Sequence, residues 1–455
     1  MAIIATDMIA SVSTALSNAA IGIIRISGSG SIKILRGLIP KLPDKLTSHR
    51  LYRGQITEPK RKMAIDDVMF SFMKAPKSFT GQDMVEINCH GGIAVINSIM
   101  ELILGLGARQ AEKGEFSKRA FLNGKIDLVK AESIAALVGA KTKESAQIAA
   151  GHLTGRLSSK IGSVVNGVMA LLAEIEAHTD FPEEMGDIDT KKTIKAVRRQ
   201  YAELDSMISG ADIGRIILEG IDCVIIGTPN VGKSSLLNAL LKFDRSIVTE
   251  IPGTTTDTIE EYINLNGIAV KLIDTAGIRR GGEAIEAHGI KRTKEAISKA
   301  ELIIAVIDGA RKLLKNDLDA IAEARKSARY LIVAANKIDK GLVANLGKLK
   351  KCRIIKVSAL TGQGIDKLEK AIVSMVLSGS ILPKESLLIN ARQKETAVLA
   401  RNAMARANDS IDKGLPLDLA AIDLRDAVAS LKQMTGEDVS EEIINTVFGK
   451  FCVGK

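Results

Sequence analysis

Short apolar runs and long helical repeats alternate along this chain, and their order divides it. Over residues 1–121 the short runs dominate. Ala20-Ile-Gly-Ile-Ile-Arg-Ile-Ser-Gly28, Asp67-Val-Met-Phe-Ser-Phe-Met73 and Met84-Val-Glu-Ile-Asn-Cys-His-Gly-Gly92 read as strands, and Ile93 to Leu104 has helical periodicity. That mixture predicts an α/β domain. Over 122–215 the pattern is almost wholly helical: apolar positions recur through Val164–Ala177 until Asp180-Phe-Pro182 stops them, because proline cannot continue a helix. Residues 216–378 alternate strand and helix, which predicts a doubly wound, mostly parallel sheet. Residues 379–455 turn helical again after Pro383. Helical stretches on both sides of a compact α/β unit predict one bundle with an inserted domain, since domain termini usually lie close together. Two separate helical domains would give the same pattern.

The chemistry concentrates in the inserted stretch. Cys223–Ile226 is an apolar run of the kind buried on both sheet faces, SSLLNALL has helical spacing, and between them Gly227-Thr-Pro-Asn-Val-Gly232-Lys233-Ser234 satisfies G-x-x-x-x-G-K-[ST]. Strand, glycine loop and helix together make a phosphate cradle, in which backbone N–H groups of Asn230, Val231, Gly232 and Ser235 and the helix N-terminus meet the anion. Lys233 would reach the β- and γ-phosphates and Ser234 would ligate Mg²⁺. Downstream, Val270–Gly277 is a strand ending in D-x-x-G, Asp274-Thr275-Ala276-Gly277, a GTP-binding stretch in which Asp274 is placed to hold Mg²⁺ through water and the Gly277 N–H to sense a γ-phosphate. Leu331–Asp339 is a second buried strand ending in Asn336-Lys337-Ile338-Asp339. A carboxylate at Asp339 accepts from the ring N–H and the exocyclic amine of guanine; adenine lacks that donor pair, and sites of this design reject the wrong ligand by about 10⁴-fold. Ser358-Ala359-Leu360 follows a further strand and suits the far edge of the base. These four motifs in this order point to a P-loop GTPase domain of the Ras-like, translation-factor-like class.

Hydrolysis needs a positioned water. GTPases of the Ras kind carry a glutamine directly after D-x-x-G; here the residue is Ile278, which cannot orient water. Glu283, Glu286 and His288, in the glycine-containing loop that follows, can each polarise one. Thr255 is the natural second Mg²⁺ ligand. Asn230 is placed either to support its own turn or to hold a monovalent cation, with oxygens from Thr249-Glu250-Ile251-Pro252-Gly253-Thr254 completing the shell.

Composition adds limits. No stretch is long and apolar enough to span a bilayer, and the N-terminus lacks a secretory pattern, so a cytoplasmic protein is expected. Cys89, Cys223, Cys352 and Cys452 are scattered without metal spacing. The net charge of +10 favours a polyanionic partner such as RNA. By composition the end, Phe451-Cys-Val-Gly-Lys455, is an ordinary flexible tail.

Ser78-Phe-Thr-Gly-Gln-Asp83, Glu86-Ile-Asn-Cys-His-Gly-Gly92, Gly114-Glu-Phe-Ser-Lys-Arg-Ala-Phe-Leu-Asn-Gly-Lys125, Asp180-Phe-Pro182, the GTPase loops and the terminal C-x-G-K resemble, over nearly the whole chain, the tRNA-modification GTPases of the MnmE (TrmE) family. The resemblance implies an N-terminal α/β domain that dimerises and binds 5-formyltetrahydrofolate or methylenetetrahydrofolate, with folate contacts matching Arg25, Glu86, Lys125 and Lys455. It implies K⁺ ligands at Asn230, Thr249, Ile251 (backbone) and Thr254, and a catalytic Glu286. It also implies homodimers, tRNA as substrate, and an FAD- and NADH-using partner, MnmG (GidA), with which the family builds an aminomethyl or carboxymethylaminomethyl group on the wobble uridine. Ser13–Ala19 departs from the family's proline- and glycine-containing loop beside the folate pocket. The alternative, a ribosome-assembly GTPase of the Era or Der type, predicts a KH-like module after the G domain or a second G domain, and the helical C-terminal segment has no KH-type G-x-x-G clamp, nor is there a second phosphate loop. A folate sensor with failed hydrolysis would conflict with the intact Lys233, Ser234, Thr255 and Asp274.

Overall fold

The computed structural model describes residues 7–58, 63–243, 261–273, 297–298, 300–349, 352–377 and 388–455. Strands β1 (Ile9–Val12), β2 (Ala19–Ser27), β3 (Leu51–Thr57), β4 (Ala64–Met73), β5 (Met84–Gly91) and β6 (Arg109–Gln110) form one sheet in the order β3-β4-β5-β2-β1-β6, antiparallel except where β1 meets β6. Period-2 alternation gives the sheet two faces. Ile24, Ile26, Val85, Ile87 and Phe70 face helices α1 (Ser31–Leu38) and α2 (Ile93–Gly105) in the main core. On the opposite face Ile9 and Met84 pack with Phe116 of α3 (Glu115–Leu122). Arg25 and Glu86, cross-strand partners in the β2–β5 register, lie on that second face.

Helices α4 (Leu128–Gly139), α5 (Lys143–Leu153), α6 (Arg156–Asp180), α7 (Pro182–Met185), α8 (Thr190–Ser209) and α9 (Ala211–Glu219) follow. Thr142 and Ser145 form a capping box at α5, and the Asp189 side chain accepts from Lys192 N–H at α8. The second sheet contains β7 (Ile221–Ile226), β8 (Glu261–Leu265), β9 (Ile268–Leu272), β10 (Leu302–Asp308), β11 (Tyr330–Asn336) and β12 (Arg353–Lys356) in the order β12-β11-β10-β7-β9-β8. All its pairs are parallel except β8–β9, a hairpin turning at Asn266-Gly267. Helices α10 (Lys233–Phe243), α11 (Lys315–Ser327) and α12 (Ile365–Val376) belong to this unit, and its sheet is covered on both faces by separate cores. The mixed N-terminal sheet, the helical segments and the doubly wound G unit are the expected fold class.

After the second sheet come α13 (Ala391–Asp412), α14 (Leu417–Thr435) and α15 (Glu441–Phe448). Val164, Val168 and Ile175 of α6, Val197 and Leu204 of α8, Ala400 and Met404 of α13 and Leu424 and Leu431 of α14 share a single core. Leu218 and Glu219, where the chain leaves this bundle, and Ile389 to Arg392, where it returns, line one cavity of about 490 Å³. Among the described residues no helix is long and apolar enough to cross a membrane.

The tail corrects the compositional expectation. Val453 bridges Lys113, Gly114 N–H donates to the Cys452 carbonyl at 3.3 Å, and Ser13 Oγ donates to the Gly454 carbonyl at 3.2 Å. Phe451 is buried against Phe448, with ring centroids 5.3 Å apart. An aromatic anchor and a glycine at φ +90°, where a side chain would strike the Val12 carbonyl, hold the tail against the N-terminal sheet.

Candidate nucleotide and folate sites

The phosphate loop leaves the buried end of β7 and re-enters the chain as α10. Val231 is buried, and Gly232 at φ +94° passes so close to Asn336 that a Cβ would lie 2.3 Å from its Nδ2. Lys233 Nζ donates to the carbonyls of Gly227 (2.8 Å) and Thr228 (3.1 Å), and burial pulls its pKa down. Asn336 staples the base loops to the phosphate loop: Nδ2 donates to the Val231 carbonyl at 2.9 Å, and Oδ1 accepts from Ala359 N–H at 2.9 Å. Lys337 Nζ donates to the Asn230 carbonyl (2.6 Å) and to Asp308 Oδ2 (2.8 Å). Asp339 Oδ1 accepts from Ser358 Oγ at 2.6 Å. Ser234 and Ser235 are exposed at the start of α10, and Leu360 is exposed beside the base loop. The structure therefore brings Asn230, Val231, Gly232, Lys233, Asn336, Lys337, Asp339, Ser358 and Ala359 into one hydrogen-bonded site. Thr249, Glu250, Ile251, Pro252, Gly253, Thr254, Thr255, Asp274, Thr275, Ala276, Gly277 and Glu286 lie outside the described residues, as do Glu283 and His288.

On the N-terminal sheet, Arg25 Nε donates to Glu86 Oε1 at 2.6 Å, with both side chains about one quarter to one third exposed (30 % and 26 %). Lys125 Nζ reaches the Pro76 carbonyl instead, at 2.8 Å. Lys455 ends the tail that is pinned at Ser13, one strand from Arg25. Next to these groups the motif blocks interlock. Thr80 Oγ1 lies 2.8 Å from Ser27 Oγ, Gln82 Oε1 accepts from Arg119 Nη1 at 3.0 Å, and Arg119 and Arg109 both clamp Glu115. Burial alone would raise the Glu115 pKa; hydrogen bonds from Arg109, the Glu112 N–H and Arg119 outweigh it and bring it to about 2.

Comparison with known proteins supplies the rest. A family model described as the GTP-binding protein TrmE N-terminus matches residues 8–125, and one described as the MnmE helical domain matches 128–452. The tRNA modification GTPase MnmE of Thermoanaerobacter pseudethanolicus is 42 % identical over 459 residues, 99 % of each chain. That of Acetivibrio thermocellus is 42 % identical over the same length and shares. The chain belongs to the MnmE family of tRNA modification GTPases. Among solved structures, the G domain of the T. maritima FeoB iron transporter aligns with 34 % of this chain and 98 % of its own at 26 % identity and a TM-score of 0.27.

Within this MnmE-family chain, one part of the nucleotide site escaped sequence reasoning. Thr228 Oγ1 donates to Asp317 Oδ1 at 2.7 Å, and Arg311 donates to Asp317 Oδ2 at 2.9 Å and to Thr228 Oγ1 at 3.1 Å. Burial raises the Asp317 pKa, but Arg311 and the Leu314 N–H reverse this, so the net shift is downward. The triad ties the phosphate loop to the N-terminus of α11. Thr228 is a free position of the motif and Asp317 lies 89 residues away, so no local spacing could announce it.

Proposed function

We propose that this chain hydrolyses GTP to GDP and phosphate in a potassium-activated reaction and, with an FAD-dependent protein of the MnmG (GidA) kind, forms 5-carboxymethylaminomethyl- or aminomethyl-uridine at the tRNA wobble position from a tetrahydrofolate one-carbon donor. The observation that carries the reading is the convergence of the Arg25–Glu86 pair and the docked C-terminal tail on one region of the N-terminal sheet. That pair uses one N–H of Arg25 and one oxygen of Glu86, which leaves outer guanidinium nitrogens for an anionic group and a carboxylate oxygen for pterin donors. Lys125 and Lys455 add cations suited to the glutamate tail of 5-formyltetrahydrofolate or methylenetetrahydrofolate.

In the G domain, Lys233 exchanges its loop carbonyls for phosphate oxygens and Asp339 reads the guanine edge. Ser234 and Thr255 would hold Mg²⁺; Asn230, Thr249, Ile251 and Thr254 would hold K⁺. Held there, the two cations would supply charge neutralisation at the phosphates. Glu286 orients the attacking water, a role Ile278 cannot fill. Hydrolysis drives rearrangement rather than the carbon chemistry. The working unit is a homodimer in the cytoplasm; Leu16, Ile21 and Ile93, all exposed at the end of the sheet where β2 begins and β5 finishes, favour a self-associating surface there. We assign the domains as 1–121, 122–215 with 379–455, and 216–378.

The test is mass spectrometry of wobble nucleosides in tRNA from a strain lacking this gene, complemented with wild type or Glu286→Ala. Loss of the aminomethyl-type uridine, restored only by wild type, supports function and catalytic assignment together. Unchanged nucleosides in a strain without a second copy refute the modification reading.

A further inference from the structure

The Asp180-Phe-Pro182 block has no role in either site, yet it marks one end of the bundle. Arg198 to Asn408 (3.2 Å) and Arg401 to Asp205 (3.0 Å) set α8 antiparallel to α13. Arg406 to Asp423 (2.7 Å) and Arg392 to the Met434 carbonyl (3.0 Å) set α13 antiparallel to α14. Arg425 of α14 pairs with Glu176 of α6 at 2.5 Å. The α6–α8 connection and the α13–α14 turn therefore share one end, opposite the two links to the G domain.

At that shared end Phe181 (56 % exposed), Met185 (48 %), Leu415 (43 %), Leu419 (45 %) and Ile422 (51 %) face outward. Elsewhere on the described helices of the bundle, α4–α9 and α13–α14, the exposed large apolar residues are Val138, Met169 and Leu399. Clustering of this kind marks an interaction surface, where scattered apolar residues would not. The α6–α8 connection is also held in shape: His178 Nδ1 lies 2.8 Å from the Gly186 carbonyl, and Asp189 caps α8. Asp180, Glu183, Glu184 and Asp187 flank Phe181 and Met185 in the chain, and none is in an ion pair among the described residues; of the lysines at this end, Lys192 is paired with Glu174 and Lys413 with Asp409, Lys191 follows the connection, and Asp418 adds a further acid beside Leu419. Such a rim repels the phosphates of RNA and of anionic lipid and attracts a basic protein surface.

We propose that this end of the bundle docks a protein partner whose contact face carries apolar side chains ringed by Lys and Arg. Its occupant rests on the function proposed above, under which that partner is the FAD-dependent protein. The experiment measures binding of the purified full-length chain to that purified protein by biolayer interferometry, for wild type, F181S/M185S and E183K/E184K. Each pair of changes weakens binding by about tenfold or more, raised salt weakens wild type, and GDP and tRNA affinities stay within about twofold. Wild-type affinity in both variants overturns the inference while leaving the proposed function standing. Loss of tRNA binding in place of protein binding makes the end an RNA surface and also overturns it. Failure of wild type to bind the FAD-dependent protein refutes the partner reading and this occupant together.

Discussion

A methyl group at Gly232 would sit 2.3 Å from Asn336 Nδ2, on a backbone at φ +94° that side chains rarely adopt. Gly232→Ala therefore either strains the phosphate loop by about 1–3 kcal/mol or breaks the staple to the base loops. A rise of roughly tenfold or more in the Kd for a fluorescent GDP analogue is expected, and an unchanged Kd would contradict the packing described. His152 poses a different residue-scale problem. It is 2 % exposed, neither ring nitrogen has a hydrogen-bond partner among the described residues, and burial lowers its pKa from 6.5 to about 4, against a smaller opposing pull from Glu132. A folded-state pKa below the unfolded value means the unfolded chain takes up a proton that the fold refuses. Stability held above pH 6.5 then declines as pH falls towards 4, by about 1.4 kcal/mol per pH unit. His152→Leu removes two orphaned polar atoms and this slope together, giving about 1–2 kcal/mol more protection of α5 to hydrogen exchange at neutral pH and a larger gain at pH 5. Equal protection in the two proteins at both pH values would be evidence against a buried neutral imidazole.

At the scale of elements, what was legible followed from local bonding. The run β7, glycine loop, α10 could be read because strand burial, loop φ angles and helix periodicity all act within the one short stretch Ile221–Phe243. The hairpin β8–β9 was not anticipated within the mostly parallel sheet, although Asn266-Gly267 carries the signature of a tight hairpin turn. Strand β3 was missed because as an edge strand it alternates exposed and half-buried positions and offers little apolar signal. The docked tail was illegible for another reason: Ser13 and Gly454 meet across 441 positions, and composition knows nothing of such contacts. The tail supports an element-scale prediction. Gly454→Val places a side chain against the Val12 carbonyl at φ +90° and releases the last residues. Hydrogen exchange at 113–114 and 451–455 rises and, with the folate site as proposed, affinity for 5-formyltetrahydrofolate falls, while GTP binding is unaltered. Retained folate affinity with a released tail would remove Lys455 from the pocket.

For the whole molecule, the Arg25–Glu86 pair and the GTPase loops occupy separate sheets, and the helical bundle is built from segments on both sides of the G domain in the chain. The family-specific sequence blocks make physical sense at this scale: with Ser27 they knit Thr80, Gln82, Glu115 and Arg119 into one network, buried except at half-buried Gln82, that no single block could form. The shared bundle core has a further consequence, in time rather than space. Its first contributors end at Ala211, and its second set begins at Leu388. A ribosome adding about 5–20 residues per second needs roughly 10–35 s to cross that interval. During it, the apolar stripes of α6 and α8 have been made and α13 and α14 have not, while the G domain is being completed. The nascent chain thus carries an unfinished bundle behind a domain that can already close, and it is in that window that a chaperone has most reason to meet it.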